Sequence, residues 1–381
     1  MESAIPVAFD SDDLFGRVYF VWILSRHGDL QRSNNVLGVN DDQNNLRFHD
    51  GEVEVVRIID PKVELIGGNV PHNMRAKHVE LCGRVCYKSE DKITDDSAEK
   101  FIVGIIKRGH EAVLEHARVT LNLERNNDTY RYIKHICDHM KRHGIEDYIR
   151  LTRIDDIWIA SANMRAWRAI SRVMKMAHHV PDVIQRMWHE NEAFFPDFIS
   201  PDDEYIFDPV TDIDPVKIPI DGGKFNEPEQ RLVHSWYTFR FICDRGISHE
   251  IVRHRPASYC QESTRYCDYS KGQFGGEITV IKPFYLDEGS LAYERWYAAC
   301  TAAERCYFDM RNAGCTPQEA RAVLPTSLKT ELVMTATADE WCHFLNLRCS
   351  EAAHPQMREV ATRVREILIQ QDGEVFGNAT K

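Results

Sequence analysis

Arg253, Arg255 and Arg265 fall within one short run, RHRPASYCQESTR, that contains a single acid, Glu262, beside His254, Ser258, Gln261 and Ser263. Guanidinium forks suit phosphate oxygens and the flat edges of heterocycles, and a bound nucleotide offers both. A solvated basic face is the competing reading. Phe239, Phe241, Ile242, Ile251 and Val252 weigh against it, because they would pack the strand and helix carrying the arginines into the core, where unpaired charge is costly. Cys260 is either a nucleophile or a small packed side chain. Ser263 has neither a GxSxG elbow nor a Ser-His-acid arrangement, so it reads as a ligand contact.

The elements that must hold these residues are visible in the pattern. Trp236 to Cys243 reads as a strand and Asp244-Arg245-Gly246 as a turn; Ser248 would cap a short helix ending in Arg253 to Arg255, and Pro256 stops it before a loop. Further on, Thr316-Pro317-Gln318-Glu319 is a capping box with Pro at the first helical position, opening a helix through Arg321 that ends near Leu324-Pro325. Thr337-Ala338-Asp339-Glu340 repeats the device. The helix it opens carries Trp341, Phe344, Leu345 and Arg348 on one face, so Arg348 needs a partner, either a protein carboxylate or a ligand oxygen.

Upstream, VEVVRIID and KVELIG read as strands around Pro61, followed by a helix from Arg75 to Tyr87 with the stripe Val79, Cys82, Val85 and Cys86. Asp96 and Glu99 predict a capped helix with Phe101, Ile102, Ile105 and Ile106 on its apolar face. Val119, Leu121 and Leu123 alternate in a strand just after Glu115-His116. Residues of about 125–235 read as a helical insertion, with periodicity at Tyr132, Ile133, Ile136 and Met140, a helix from Met164 to Met176, and a Pro/Asp-rich loop from Pro196 to Pro228. Residues 1–52 read as an N-terminal extension, with strand-like Val18 to Leu24 and a polar stretch from Asn34 to Asn45, before a main domain over 53–381.

Composition bounds the function. A chain of 381 residues with 43% hydrophobic content builds a large core, which excludes disorder and collagen, and its net charge of −12 repels nucleic acid at long range. Eleven cysteines without a leader pattern predict free thiols and a reducing cytoplasm. The apolar runs fall short of the roughly 18 to 20 residues that span a bilayer, so no membrane partner is expected. His135, His139 and His143 share a helix face, but no nearby Cys or Glu completes a convincing metal site, and no metal is expected. Neither GxGxxG nor GxxxxGK[ST] is present.

RHRPASYCQES, with Arg265-Tyr266 after it, resembles the RHR-and-serine signature of flavin-dependent thymidylate synthases. LCGRVCYKSED, GHEAVLEHARVTL and ARAVLPTSLKTELVMTATADEWCHFLNLR resemble further segments of that family in its order, and SANMRAWRAI is similar to a segment of its longer members. The resemblance implies an α+β fold, a mixed α/β subunit of a homotetramer that binds FAD at subunit interfaces. It also implies conversion of dUMP to dTMP with methylenetetrahydrofolate as carbon donor and NADPH as reductant. By the same resemblance Arg253, His254, Arg255, Gln261, Thr337, Asp339 and His343 stand at FAD positions. Glu250, Arg253, Gln261, Glu262, Ser263, Arg265, Arg321 and Arg348 stand at dUMP positions. His116 matches a histidine near the flavin and, with Arg348 beside the uracil, would serve catalysis. The chain departs from the family's commoner residues at Arg118, Glu250, Cys260, Gln261 and His343. The alternative is a nucleic-acid-binding module built on the RHR cluster and its neighbouring aromatics.

Overall fold

Trp236–Asp244 and Lys329–Thr337 run antiparallel at the centre of a four-stranded sheet, flanked by Lys62–Gly68 and Ala257–Gln261. The computed structural model describes residues 47–49, 52–54, 56–123, 127–142, 149–154, 157–199 and 227–377. The period of two sorts the central strands into faces. Tyr237, Phe239, Phe241 and Cys243, with Leu332, Met334 and Ala336, bury one face against helices Ala338–Arg348 and Pro355–Gln371. The other face carries Thr238, Arg240, Glu331, Thr335 and Cys260, and all but Arg240 are buried. Helix Arg75–Arg84 and the 3-10 segment Glu111–His116 cover that polar face, and their His78 and His116 bond Thr238 and Thr335.

Helix Arg75–Arg84 approaches its neighbours closely at Gly83, where a Cβ would stand 2.7 Å from Phe101 and 2.8 Å from Val113. Helix Ser97–Lys107 supplies Phe101 and starts where expected, but Asp96 makes no cap bond; Ser97 instead accepts from the Thr94 amide and donates to Glu80. The Thr316 capping box forms, with Glu319 accepting from both the Thr316 amide and hydroxyl at 2.7 Å. Its repeat at Thr337 does not: helix Ala338–Arg348 begins there without a side-chain cap.

The block expected to be a helical insertion is not wholly helical. Ile149–Ile154 and Ile157–Asn163 are strands that complete an antiparallel sheet with Arg118–Asn122. Their β-branched alternation was masked by strong helical periodicity on either side. Helices Asn127–Lys141, Met164–Met176 and Asp182–Glu190 pack on this sheet, and Ile133, Trp167, Met187 and Phe195 share one core with Val79, Ile102 and Leu121. Three ion pairs bind the block to Glu111–His116: Arg165 with Glu115, and Arg168 and Arg172 with Glu111. Most of the expected loop, residues 200–226, lies outside the described residues, as do Val18 to Leu24 and the stretch from Asn34 to Asn45.

Arg47–His49 and Glu52–Glu54 form an antiparallel ribbon, and Arg57–Ile59 pairs in parallel with Thr279–Ile281 beside the long helix Leu291–Asn312. All eleven cysteines are free. Among the described residues no helix is long and apolar enough to cross a membrane.

Candidate active site

The RHR run is placed by the end of one strand and the start of the next. The carboxylate of Asp244, last residue of its strand, accepts from the Ile247 amide at 2.7 Å and opens helix Arg245–Ile251. Asp244 is therefore the cap in place of Ser248, because the chain enters the helix directly from the strand; Ser248 donates to the Arg245 carbonyl at 2.9 Å. The helix stops at Ile251, so Arg253 to Arg255 lie in a turn beyond it. Tyr259 donates to the carbonyls of Ile251 (3.1 Å) and His254 (2.7 Å) and ties the turn to Ala257–Gln261. That segment is an edge strand where a loop was expected, because its alternating side chains pair with Leu332–Ala336.

Arg253, His254, Arg255, Asp339, His343 and Arg348 line one cavity of about 520 Å³. Arg253 and Arg255 are exposed and make no ion pair with a described residue. Arg348 spends its whole fork inside the chain: Nη1 donates to the Glu250 carboxylate (2.8 Å), Nη2 to the Glu250 carbonyl (3.0 Å) and Nε to His254 Nε2 (3.0 Å). Accepting there fixes the His254 proton on Nδ1. Burial, with the Arg348 and His343 charges, holds His254 down to about 4, so the ring is neutral at physiological pH. Asp339 and Glu340, on the same helix as His343 and Arg348, also line the cavity and meet Arg150 at 3.4 and 3.5 Å. Arg150 comes from the inserted block and went unnoticed in the sequence; the alternation of IRLTRI was its only signal.

The other expected residues lie elsewhere in the subunit. Glu262 is buried and faces a second cavity of about 620 Å³, accepting from Lys329 at 2.9 Å and Tyr269 at 3.3 Å. Lys329, Lys88 and Arg240 converge on Glu331, whose carboxyl is held at about 2 by the cations despite its burial. Gln261 donates to Ser248 at 2.8 Å. The Ser263 amide donates to the Cys86 carbonyl, and Arg265 lies exposed over the Tyr266 ring. Arg321 is exposed on the turn Arg321–Val323, and Thr337 is buried at the start of its helix.

His116 is sealed inside. Its Nδ1 meets Thr335 at 2.7 Å, Thr335 meets Thr238 at 2.8 Å, and Thr238 meets His78 at 3.2 Å, a buried file across the polar face of the sheet. Desolvation lowers His116 to about 3 and His78 to about 4. Cys260 is buried, with its thiol pushed well above its ordinary range by the Cys86 thiol and by burial, which disfavours a nucleophile. His135 and His139 are exposed, and His143 lies outside the described residues; among the described residues no cluster is arranged for a metal.

The family model described as thymidylate synthase complementing protein matches residues 70–130 and 226–372, more than half of the chain. A flavin-dependent thymidylate synthase of Pyrococcus furiosus is 33% identical over 145 residues, 38% of this chain and 59% of that one. One from Geobacter sulfurreducens is 32% identical over 138 residues, 36% and 58%. The chain thus spans under two thirds of the length of the curated relatives it matches. A crystal structure of flavin dependent thymidylate synthase ThyX from Helicobacter pylori complexed with FAD and dUMP aligns over 42% of this chain and 80% of that one, with 22% identity and a TM-score of 0.33. With RHR and its partner helix matched in order, the chain belongs to the thymidylate synthase complementing protein family, that of the flavin-dependent thymidylate synthases.

Proposed function

We propose that the protein binds FAD and converts dUMP to dTMP, with methylenetetrahydrofolate as carbon donor and NADPH as reductant, as a cytoplasmic homotetramer. The observation that carries this reading is the 520 Å³ cavity, where Arg253 and Arg255 make no ion pair with a described residue beside a neutral His254, and the two lining carboxylates, Asp339 and Glu340, are engaged by Arg150. Such a wall suits an anionic, planar cofactor. Bound there, FAD would supply the hydride and one-carbon chemistry. Arg253 and Arg255 would hold its anionic groups, His254 would offer its Nδ1 proton, and Arg348 would keep the turn in place. Ser263, Arg265 and Arg321 do not line this cavity, and in the proposed tetramer a dUMP site uniting them with Arg253 would draw on more than one subunit. The purified protein is expected to show flavin absorbance and to form dTMP from dUMP. Colourless protein that takes up no added FAD but binds RNA or DNA would replace this reading with the nucleic-acid one.

Arg348 tests the site from within. Lysine keeps the charge, but its three N–H groups radiate from one nitrogen and cannot reach the partners that Nε, Nη1 and Nη2 meet from separate points of a planar fork, so Arg348→Lys should free Glu250 and His254 and slacken the turn. We expect FAD affinity, read by flavin fluorescence, to fall about tenfold, in line with the loss of one or two charged hydrogen bonds. Unchanged affinity with slowed flavin oxidation would instead place Arg348 on the reacting pyrimidine.

A further inference from the structure

Three thiols from separate elements meet beside the edge strand. Cys82 lies on helix Arg75–Arg84, Cys86 on the 3-10 turn Val85–Tyr87 that continues it, and Cys260 on strand Ala257–Gln261. They pack together with Val85 and Val333 in one small cluster. The Ser263 amide donates to the Cys86 carbonyl at 3.1 Å, which holds the chain just past that strand against the turn. Within this contact the Cys260 and Cys86 thiols hydrogen-bond each other. Two free sulfurs in that contact, on segments tied together through their backbones, are placed for a disulfide without rearrangement of the fold.

The thiols are not equivalent. Cys86 is part-exposed and receives the Cys260 S–H, with the Gln261 amide as a second donor, so it is held below its ordinary range although burial and Glu90 oppose this. Cys260 is 2% exposed and is pushed up by the Cys86 thiol and by burial. Cys82 is sealed in and raised by burial, its sulfur 3.7 Å from His78. Thiolate character and access together select Cys86 to react first.

We propose that Cys86 and Cys260 form an oxidisable dithiol, a modification site at which hydrogen peroxide closes a disulfide between the turn and the edge strand. The Cys86 thiolate attacks one peroxide oxygen and the O–O bond breaks; the other oxygen leaves as water with the proton Cys86 gave up, and Cys86 becomes a sulfenic acid. The Cys260 sulfur then displaces the sulfenic hydroxyl, which departs as a second water with the Cys260 proton. The two thiols give up two electrons, and the peroxide is reduced to water. Loss of the Cys86 thiolate in the first step also releases the Cys260 proton for the second. The bond pins the strand that runs from the RHR turn towards Ser263 to the end of helix Arg75–Arg84, and a dithiol reductant reopens it.

The test uses the full chain as purified, carrying Cys306→Ser to remove the exposed thiol. After hydrogen peroxide, free thiols are blocked and the protein is cut with trypsin, whose cleavage at Arg84 separates Cys82 from Cys86. A cross-linked pair of peptides holding Cys86 and Cys260 is expected, with loss of two free thiols, and dithiothreitol should restore both. Cys86→Ser should abolish the cross-link and leave Cys260 a thiol. Cys260→Ser should leave Cys86 as a sulfenic acid captured by dimedone, and Cys82→Ser should cross-link as before. Absence of the Cys86–Cys260 peptide pair when all three thiols are present would overturn the proposal, whatever the stability of the variants. So would a bond from Cys82 to either thiol, a sulfenic acid captured on Cys260 in place of Cys86, or a cross-link that forms only after unfolding in urea.

Discussion

Acidification from pH 6.5 to about 4 is expected to destabilise the protein by up to about 5 kcal/mol per pH unit, with no change in ligand. His78, His116, His234 and His254 are buried and neutral, held at about 4, 3, 4 and 4. Each would be protonated in the unfolded chain below its ordinary value of 6.5. The unfolded state therefore binds more protons in this window, so stability is complete above pH 6.5 and is lost as pH falls towards the folded values. Four protons at about 1.4 kcal/mol per pH unit each set the slope. Glu331, held down to about 2, loses its contribution only below its ordinary 4.5, outside the interval from 6.5 to 4.5 where the histidines act. Urea unfolding at half-unit steps measures it, and His234→Gln should remove about a quarter of the slope. A flat profile across that interval would refute the neutral, buried assignment.

Arg168→Ala should cost about 3 to 5 kcal/mol, the scale for breaking one side of a buried ion pair. Arg168 is completely buried; its terminal nitrogens donate to the Phe194 carbonyl, to Glu111 at 3.2 Å and to Asp197 at 2.9 Å, and its head lies over the Phe198 ring. Removing it leaves a cavity and strips the Phe194 carbonyl of its donor. Arg172 shares Glu111 but is about half exposed, so Arg172→Ala should cost below about 1 kcal/mol. Chemical denaturation of the two variants compares them. Equal and small costs would mean that the inserted block is not anchored through Arg168. A large cost would show that this block and the segment carrying Glu115 and His116 are one folding unit.

Local features were the readable ones. The Thr316 box, the alternation in Trp236–Asp244 and the helix carrying Arg348 rest on neighbours in sequence, and each formed. Features decided at long range were not readable. Glu331 looks like an interior strand error until Lys88 and Arg240 arrive from two other elements to join Lys329 of its own strand. Ser248 and Asp244 are equally good caps in isolation, and the strand's end chose Asp244. In the candidate site the RHR run was legible by type, whereas Arg150 acquired meaning only when a strand missed in the sequence brought it beside Asp339.

The file from His116 to His78 has a further property. A neutral imidazole carries one N–H, and each threonine hydroxyl has one proton to give and two lone pairs to receive. The central link spends the proton of one threonine, so that threonine cannot also give to its histidine, and at least one of His116 Nδ1 and His78 Nε2 must be a donor. The tautomers of two histidines on different elements are therefore coupled. When His78 Nε2 accepts, His116 must hold its proton on Nδ1, which leaves His116 Nε2 a bare lone pair at the other end of the file.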